Sequence, residues 1–84
     1  MELTLDQILQ KAIEAHKASR LQEADRYYNK ILKVNSKHPH ANHNMGVLVV
    51  STGRVQDALP FFQTALEAEP TIAQYWLTYI DALV

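Results

Sequence analysis

The sequence predicts an all-α chain of five antiparallel helices, and three observations carry that expectation. Apolar residues recur at helical spacing, as in Leu5, Ile8, Leu9, Ala12 and Ile13. Turn and cap residues then divide the chain at intervals: Ser19, Asn35 through Pro39, Gly53, and Pro70 with Thr71. Finally, Arg54-Val55-Gln56-Asp57-Ala58 echoes Arg20-Leu21-Gln22-Glu23-Ala24 almost residue for residue, which makes an accidental likeness a poor explanation.

Helix one is expected over about residues 5–18. Thr4 precedes it and Gln7 follows three residues on, a capping-box spacing in which the hydroxyl takes an orphan N–H and Gln reaches back. Ser19 stands where a left-handed turn residue is wanted, and serine there costs up to about 1 kcal/mol relative to glycine. Helix two is expected over about 21–34, with Ala24, Tyr28, Ile31 and Leu32 as its inner stripe. Pro39 opens helix three, because a first-turn residue has no use for its N–H. That helix ends near Thr52, before Gly53, a good left-handed cap. Helix four follows over about 55–69, where Pro60 predicts a kink or a loosened first turn. Thr71 with Gln74 predicts a second capping box, and helix five from about Ile72 onward.

The totals narrow the functional classes. Eighty-four residues make one domain at most, of a size that buries only about 60–65% of its unfolded surface. A 48% hydrophobic share with 20% charge argues against disorder. No apolar run approaches the roughly 18 residues of a membrane span, and the start lacks a signal-peptide pattern. Without cysteine there is no disulfide, thiolate nucleophile or Cys-ligated zinc, and the expected location is cytoplasmic. Net charge of −1 excludes strong non-specific attraction to nucleic acid. The charge is nonetheless uneven. Residues 1–38 carry seven Lys/Arg against five Asp/Glu and residues 39–84 carry one against four, so +2 faces −3. Lys30, Lys33 and Lys37 share one side and read as a solvated outer face.

Counted from Pro39, Gly46 falls at position eight, Gly53 at fifteen, Ala58 at twenty, Phe62 at twenty-four, Ala65 at twenty-seven and Pro70 at thirty-two. The same frame over residues 5–38 places Ala12, Ser19, Ala24, Tyr28, Ile31 and Ser36, and over the tail it places Trp76 at position four. This order resembles the tetratricopeptide repeat, a helix–turn–helix of about 34 residues. The chain then reads as one domain over 1–84, with repeats at 5–38 and 39–72 and a partial repeat or capping helix at 73–84. In such stacks Ala12, Gly46, Ala24 and Ala58 are small where helices approach closely. Tyr28 and Phe62 fill the space between repeats, and Trp76 with Tyr79 is expected to cover Phe62. Lys11 and Asn42 depart from the apolar pattern and predict looser packing.

The resemblance implies a non-catalytic protein-interaction module that holds a peptide or partner protein in a concave groove lined by the first helix of each repeat. Carried over residue by residue, the groove positions are Asp6, Leu9, Gln10, Ile13, His16 and Lys17, then His40, His43, Asn44, Val47, Val50 and Ser51, then Gln74, Leu77, Thr78 and Asp81. Of these, Asn44, Leu9, Gln10, Ile13, His43, Val47, Leu77 and Thr78 are the expected contact residues. Gln10, Asn44 and Thr78 share position six, from which an Asn in related domains bonds a peptide backbone, and Asn44 alone matches it strictly. A subfamily that grips chaperone C-termini uses a Lys/Asn/Asn/Lys/Arg clamp, and here Leu9, Ile13, Asn44, Gln74 and Thr78 stand at those places. Only Asn44 matches and the last two lack the cations, so that activity is excluded. The alternative reading is an amino-terminal targeting or assembly region of a larger enzyme, such as a bacterial glycosyltransferase or other transferase.

His38, His40 and His43 invite a metal reading, since His40 and His43 share a helical face. No carboxylate or cysteine nearby in sequence completes a site, so neither metal nor cofactor is expected. A pH-sensitive groove is the milder expectation. Catalytic motifs are lacking: no phosphate loop, no nucleophile elbow, no Ser/His/acid group. Helix five leaves Ile80, Leu83 and Val84 apolar with no later helix to cover them. The preferred expectation is a segment of a longer protein, and the competing one is a homodimer through helix five.

Overall fold

The computed structural model describes residues 3–84. It is all-α, as expected, with α1 Leu5–Lys17, α2 Leu21–Val34, α3 Pro39–Ser51, α4 Val55–Ala68 and α5 Ala73–Leu83. Each helix packs chiefly on its sequence neighbour, and α1 also touches α3. The stack measures 42 × 25 × 18 Å, long in one direction because helices are added side by side. Among the described residues no helix is long and apolar enough to cross a membrane.

The capping box at α1 is complete. Gln7 N–H donates to Thr4 Oγ1 at 3.1 Å, and Thr4 N–H donates to Gln7 Oε1 at 2.9 Å. Both hairpin turns are Schellman motifs. At the first, Ser19 N–H reaches the His16 carbonyl and Arg20 N–H the Ala15 carbonyl; Gly53 and Arg54 repeat this on Val50 and Val49. The closing residues are left-handed in both, with φ of 62° at Ser19 and 84° at Gly53. Ser19 therefore takes the conformation expected of the position without the residue that favours it.

Between the hairpins, His38 caps α3 by accepting the Ala41 N–H on Nδ1 at 3.2 Å. Asn42 was expected to loosen the packing, and the structure corrects that. It is buried, and its Nδ2 donates to the Ser36 and His38 carbonyls at 3.1 and 2.8 Å. A polar side chain here ties the α2–α3 loop to α3, its amide serving the Ser36 carbonyl and adding to the Asn42 N–H on the His38 carbonyl. Lys11 is simply exposed. α4 is helical from Val55 to Ala68 with Pro60 inside it. The missing N–H would have reached only the carbonyl of Gln56, an exposed first-turn residue that water can serve.

The core runs along the whole stack. Ala12, Ala24, Ile31, Ala58 and Ala65 are fully buried, and Tyr28 and Phe62 are each only 1% exposed. Gly46 is where helices meet most tightly. A Cβ placed there would strike the Phe62 ring, 2.7 Å from Cδ1 and 2.9 Å from Cζ. Two expectations about α5 fail. The helix begins at Ala73 with Ile72 as N-cap and no side-chain cap, so Thr71 and Gln74 form no box. Trp76 does not cover Phe62; it is 45% exposed, and its indole N–H donates to the Pro70 carbonyl at 2.7 Å. Tyr75 is the buried aromatic of α5.

Candidate functional site

Residues of α1, α3 and α5, with Tyr28 of α2 and Val55 and Phe62 of α4, line two clefts that meet at Val47. The first, of about 390 Å³, is lined by Ile13, His16, Lys17, Tyr28, His43, Asn44 and Val47. The second, of about 420 Å³, lies toward α5 and is walled mainly by Val47, Val50, Val55, Phe62 and Ala82, with Thr78 and Asp81 as its polar residues. Ile13, His43, Asn44, Val47 and Thr78 are thus brought together by the fold. Three other expected contact residues are not. Leu9 is withdrawn into the core beside Ala12, so it offers a groove occupant almost no surface. Gln10 and Leu77 are exposed but line neither cleft.

Histidines organise the polar part of this surface. His43 Nε2 lies 3.0 Å from Thr78 Oγ1, joining α3 to α5, and its Nδ1 lies 3.3 Å from Asn44 Oδ1. The His43 ring stacks on Tyr75 with centroids 4.6 Å apart and meets Phe62 at 5.8 Å. Tyr75 in turn places its hydroxyl 2.6 Å from His40 Nδ1. At the α1 end, Tyr28 places its hydroxyl 3.3 Å from His16 Nδ1, so a deeply buried phenol keeps a partner.

Burial decides the protonation of these groups. It holds His16, His38 and His43 below their ordinary value of 6.5. For His43 the Asn44 contact pulls the other way, and neighbouring His40 adds to the lowering. Burial pushes Tyr28 up to about 12 and raises Tyr75, with Glu69 contributing. Among the described residues no three potential metal ligands converge, His40 and His43 included. The only ion pair there, Arg20 to Glu23, lies on the far surface.

Tyr75 and Tyr28 were not among the expected groove residues, whereas His16 and Lys17 were and do line the first cleft. Tyr28 reads as core from its spacing, and the His43–Thr78 and His40–Tyr75 pairs join residues 35 apart, with no local pattern to announce them. Comparison with protein-family models and with curated proteins yields no match.

Proposed function

We propose that this chain is a non-catalytic interaction module of tetratricopeptide-repeat type, taking an extended peptide or partner segment along the α1–α3–α5 surface. The observation that supports this reading is the pair of clefts joined at Val47, both mainly apolar, one carrying Asn44 and His43 and the other the Asp81 carboxylate. An occupant would anchor one apolar side chain against Val50, Val55 and Ala82 and bond its backbone to Asn44. The test is selection of a random peptide library on the protein, with contacts of the winning peptide mapped by amide chemical shifts. Shifts gathered on α1, α3 and α5, lost with Asn44→Ala, support the reading. Shifts on the outer faces of α2 and α4 would end it.

A second reading concerns α5, where Leu77, Ile80 and Leu83 are 57%, 51% and 57% exposed at a spacing of three residues. A contiguous apolar stripe of this kind suits an isologous contact with a second copy. Light scattering across a hundredfold dilution is the measurement. Ile80→Lys should abolish any dimer, and a dimer that persists in this variant would sink the reading.

A further inference from the structure

Thr78, His43 and Asn44 form a short chain whose hydrogens can be assigned by elimination. Thr78 Oγ1 lies 2.8 Å from the Gln74 carbonyl oxygen, 3.0 Å from His43 Nε2, and 3.2 Å from Gln74 Nε2, which donates to it. A hydroxyl has one proton. Spent on His43, it would leave Oγ1 and the Gln74 oxygen, two acceptors, facing each other at 2.8 Å with no way to turn apart, since one is backbone. Spent on the carbonyl, as threonine commonly does in a helix, it obliges His43 Nε2 to donate. The neutral ring then carries its proton on Nε2, and Nδ1 is a bare acceptor beside Asn44.

Two arrangements satisfy that second contact. A doubly protonated ring donates from Nδ1 to Asn44 Oδ1 in the observed orientation. A neutral ring requires the Asn44 amide to turn over, so that Nδ2–H donates to Nδ1 and Oδ1 faces away. The two ends of an amide are nearly equal in size, so the cleft accommodates either. We infer that His43 sets the hydrogen-bonding character of Asn44, presenting a carbonyl acceptor to the cleft when neutral and an amide donor when charged. His43 is thus a positioning residue for Asn44, and the neutral form selects an occupant that offers an N–H.

Burial of the ring favours that neutral form near pH 7. The groups around it are His40 on the same helix, His16 and Lys17 across the cleft on α1, and Tyr28 on α2. From α4 only the Phe62 ring faces it; α5 presents Tyr75, with Asp81 one turn beyond Thr78. The consequence for a peptide rests on the interaction reading above; the hydrogen assignment does not.

Long-range nitrogen–proton NMR on the whole labelled chain reads the tautomer directly. The neutral His43 ring should show the Nε2–H pattern, and the Asn44 side-chain amide signals should move through the His43 midpoint. In Thr78→Val the acceptor for Nε2–H is gone. The neutral ring should then shift to the Nδ1–H form, donate to Asn44 Oδ1 in both charge states, and leave the Asn44 signals flat with pH. A wild-type neutral ring that carries its proton on Nδ1, or Asn44 signals indifferent to the His43 midpoint, overturns the inference. With a peptide selected at neutral pH, affinity should fall about tenfold as His43 charges, the worth of one hydrogen bond, and should not do so in Thr78→Val. Failure of that arm alone, with the NMR results as expected, counts against the groove reading instead.

Discussion

Ala12 and Gly46 stand at the same point of the α1–α2 and α3–α4 hairpins, and a single methyl separates them. Both are buried; Gly46 faces Phe62 on its hairpin's second helix, and Ala12 shares the core with Tyr28. In the second hairpin the Phe62 ring occupies the space a methyl would need. The first hairpin keeps its methyl, and its Tyr28 carries a hydroxyl that reaches His16. One hairpin thus gains contact by bringing a ring close to backbone, the other by giving a buried ring a polar partner. The same fold position is filled by two different solutions, which makes the pair a natural experiment in packing.

The largest effects should come from Phe62. Phe62→Ala removes a fully buried ring and should cost about 3–5 kcal/mol, against a total stability of about 4–13 kcal/mol for a chain this size. Denaturant melts would measure it. Gly46→Ala sets two terms against each other: a helix-propensity gain of about 1 kcal/mol and an overpacking cost of about 1–3 kcal/mol. Because the ring is enclosed on all sides, overpacking should win, for a net loss of up to about 2 kcal/mol. In a Phe62→Leu background the clash is gone, and the same substitution should become neutral or stabilising. Additive effects of the two changes would break the comparison, since they would mean that ring and glycine are not coupled.

Next in size is the hydroxyl that distinguishes the first hairpin. Tyr28→Phe should cost about 0.5–1.5 kcal/mol, the worth of one hydrogen bond, because half-buried His16 can turn to water. It should also change the pH profile. The Tyr28 phenol is raised from 10.0 to about 12 on folding, so its contribution is complete below pH 10 and is lost as pH rises from there through about 12. Tyr28→Phe should flatten that alkaline limb. On the acid side the sign reverses in pH. His16, His38 and His43 are lowered from 6.5, so their contribution is complete above 6.5 and is lost as pH falls toward their folded values. Melts that show no loss of stability below pH 6.5 would contradict the burial of these rings.

What the sequence made legible divides along the same line. Periodicity and caps placed α1 to α4 within one residue at each end, because Thr4, Pro39 and Gly53 act locally. The need for a left-handed residue at 19 was also a local matter, whereas the small residue at 46 came from the repeat spacing, since the Phe62 ring that demands it lies on α4. The phase of α5 was not legible. Tyr75-Trp76-Leu77 puts an apolar residue on every side, so spacing cannot say which one turns inward; contact with His40 and His43 on α3 decides for Tyr75. Leu9 and Asn42 misled for a related reason. Groove and core positions adjoin on one helix, and only the neighbouring helices settle how far in each residue sits.

The smallest expected effect tests the turns, where two motifs with the same hydrogen bonding carry different left-handed residues. Ser19 holds φ at 62° with a Cβ, and Gly53 holds 84° without one. A left-handed conformation costs an ordinary residue about 1 kcal/mol, though glycine also gives the unfolded chain more freedom. Ser19→Gly should therefore stabilise by a few tenths to about 1 kcal/mol, and Gly53→Ser should destabilise by a similar amount. Nothing lies near the position a Gly53 Cβ would take, so backbone strain is the whole of the second effect and no clash confuses it. If the two substitutions instead shift the melts in the same direction, the serine is contributing something in its turn that backbone geometry alone does not describe. The swapped double variant then separates the two causes. Equal and opposite shifts leave it near wild type, which is the outcome expected of two copies of one motif.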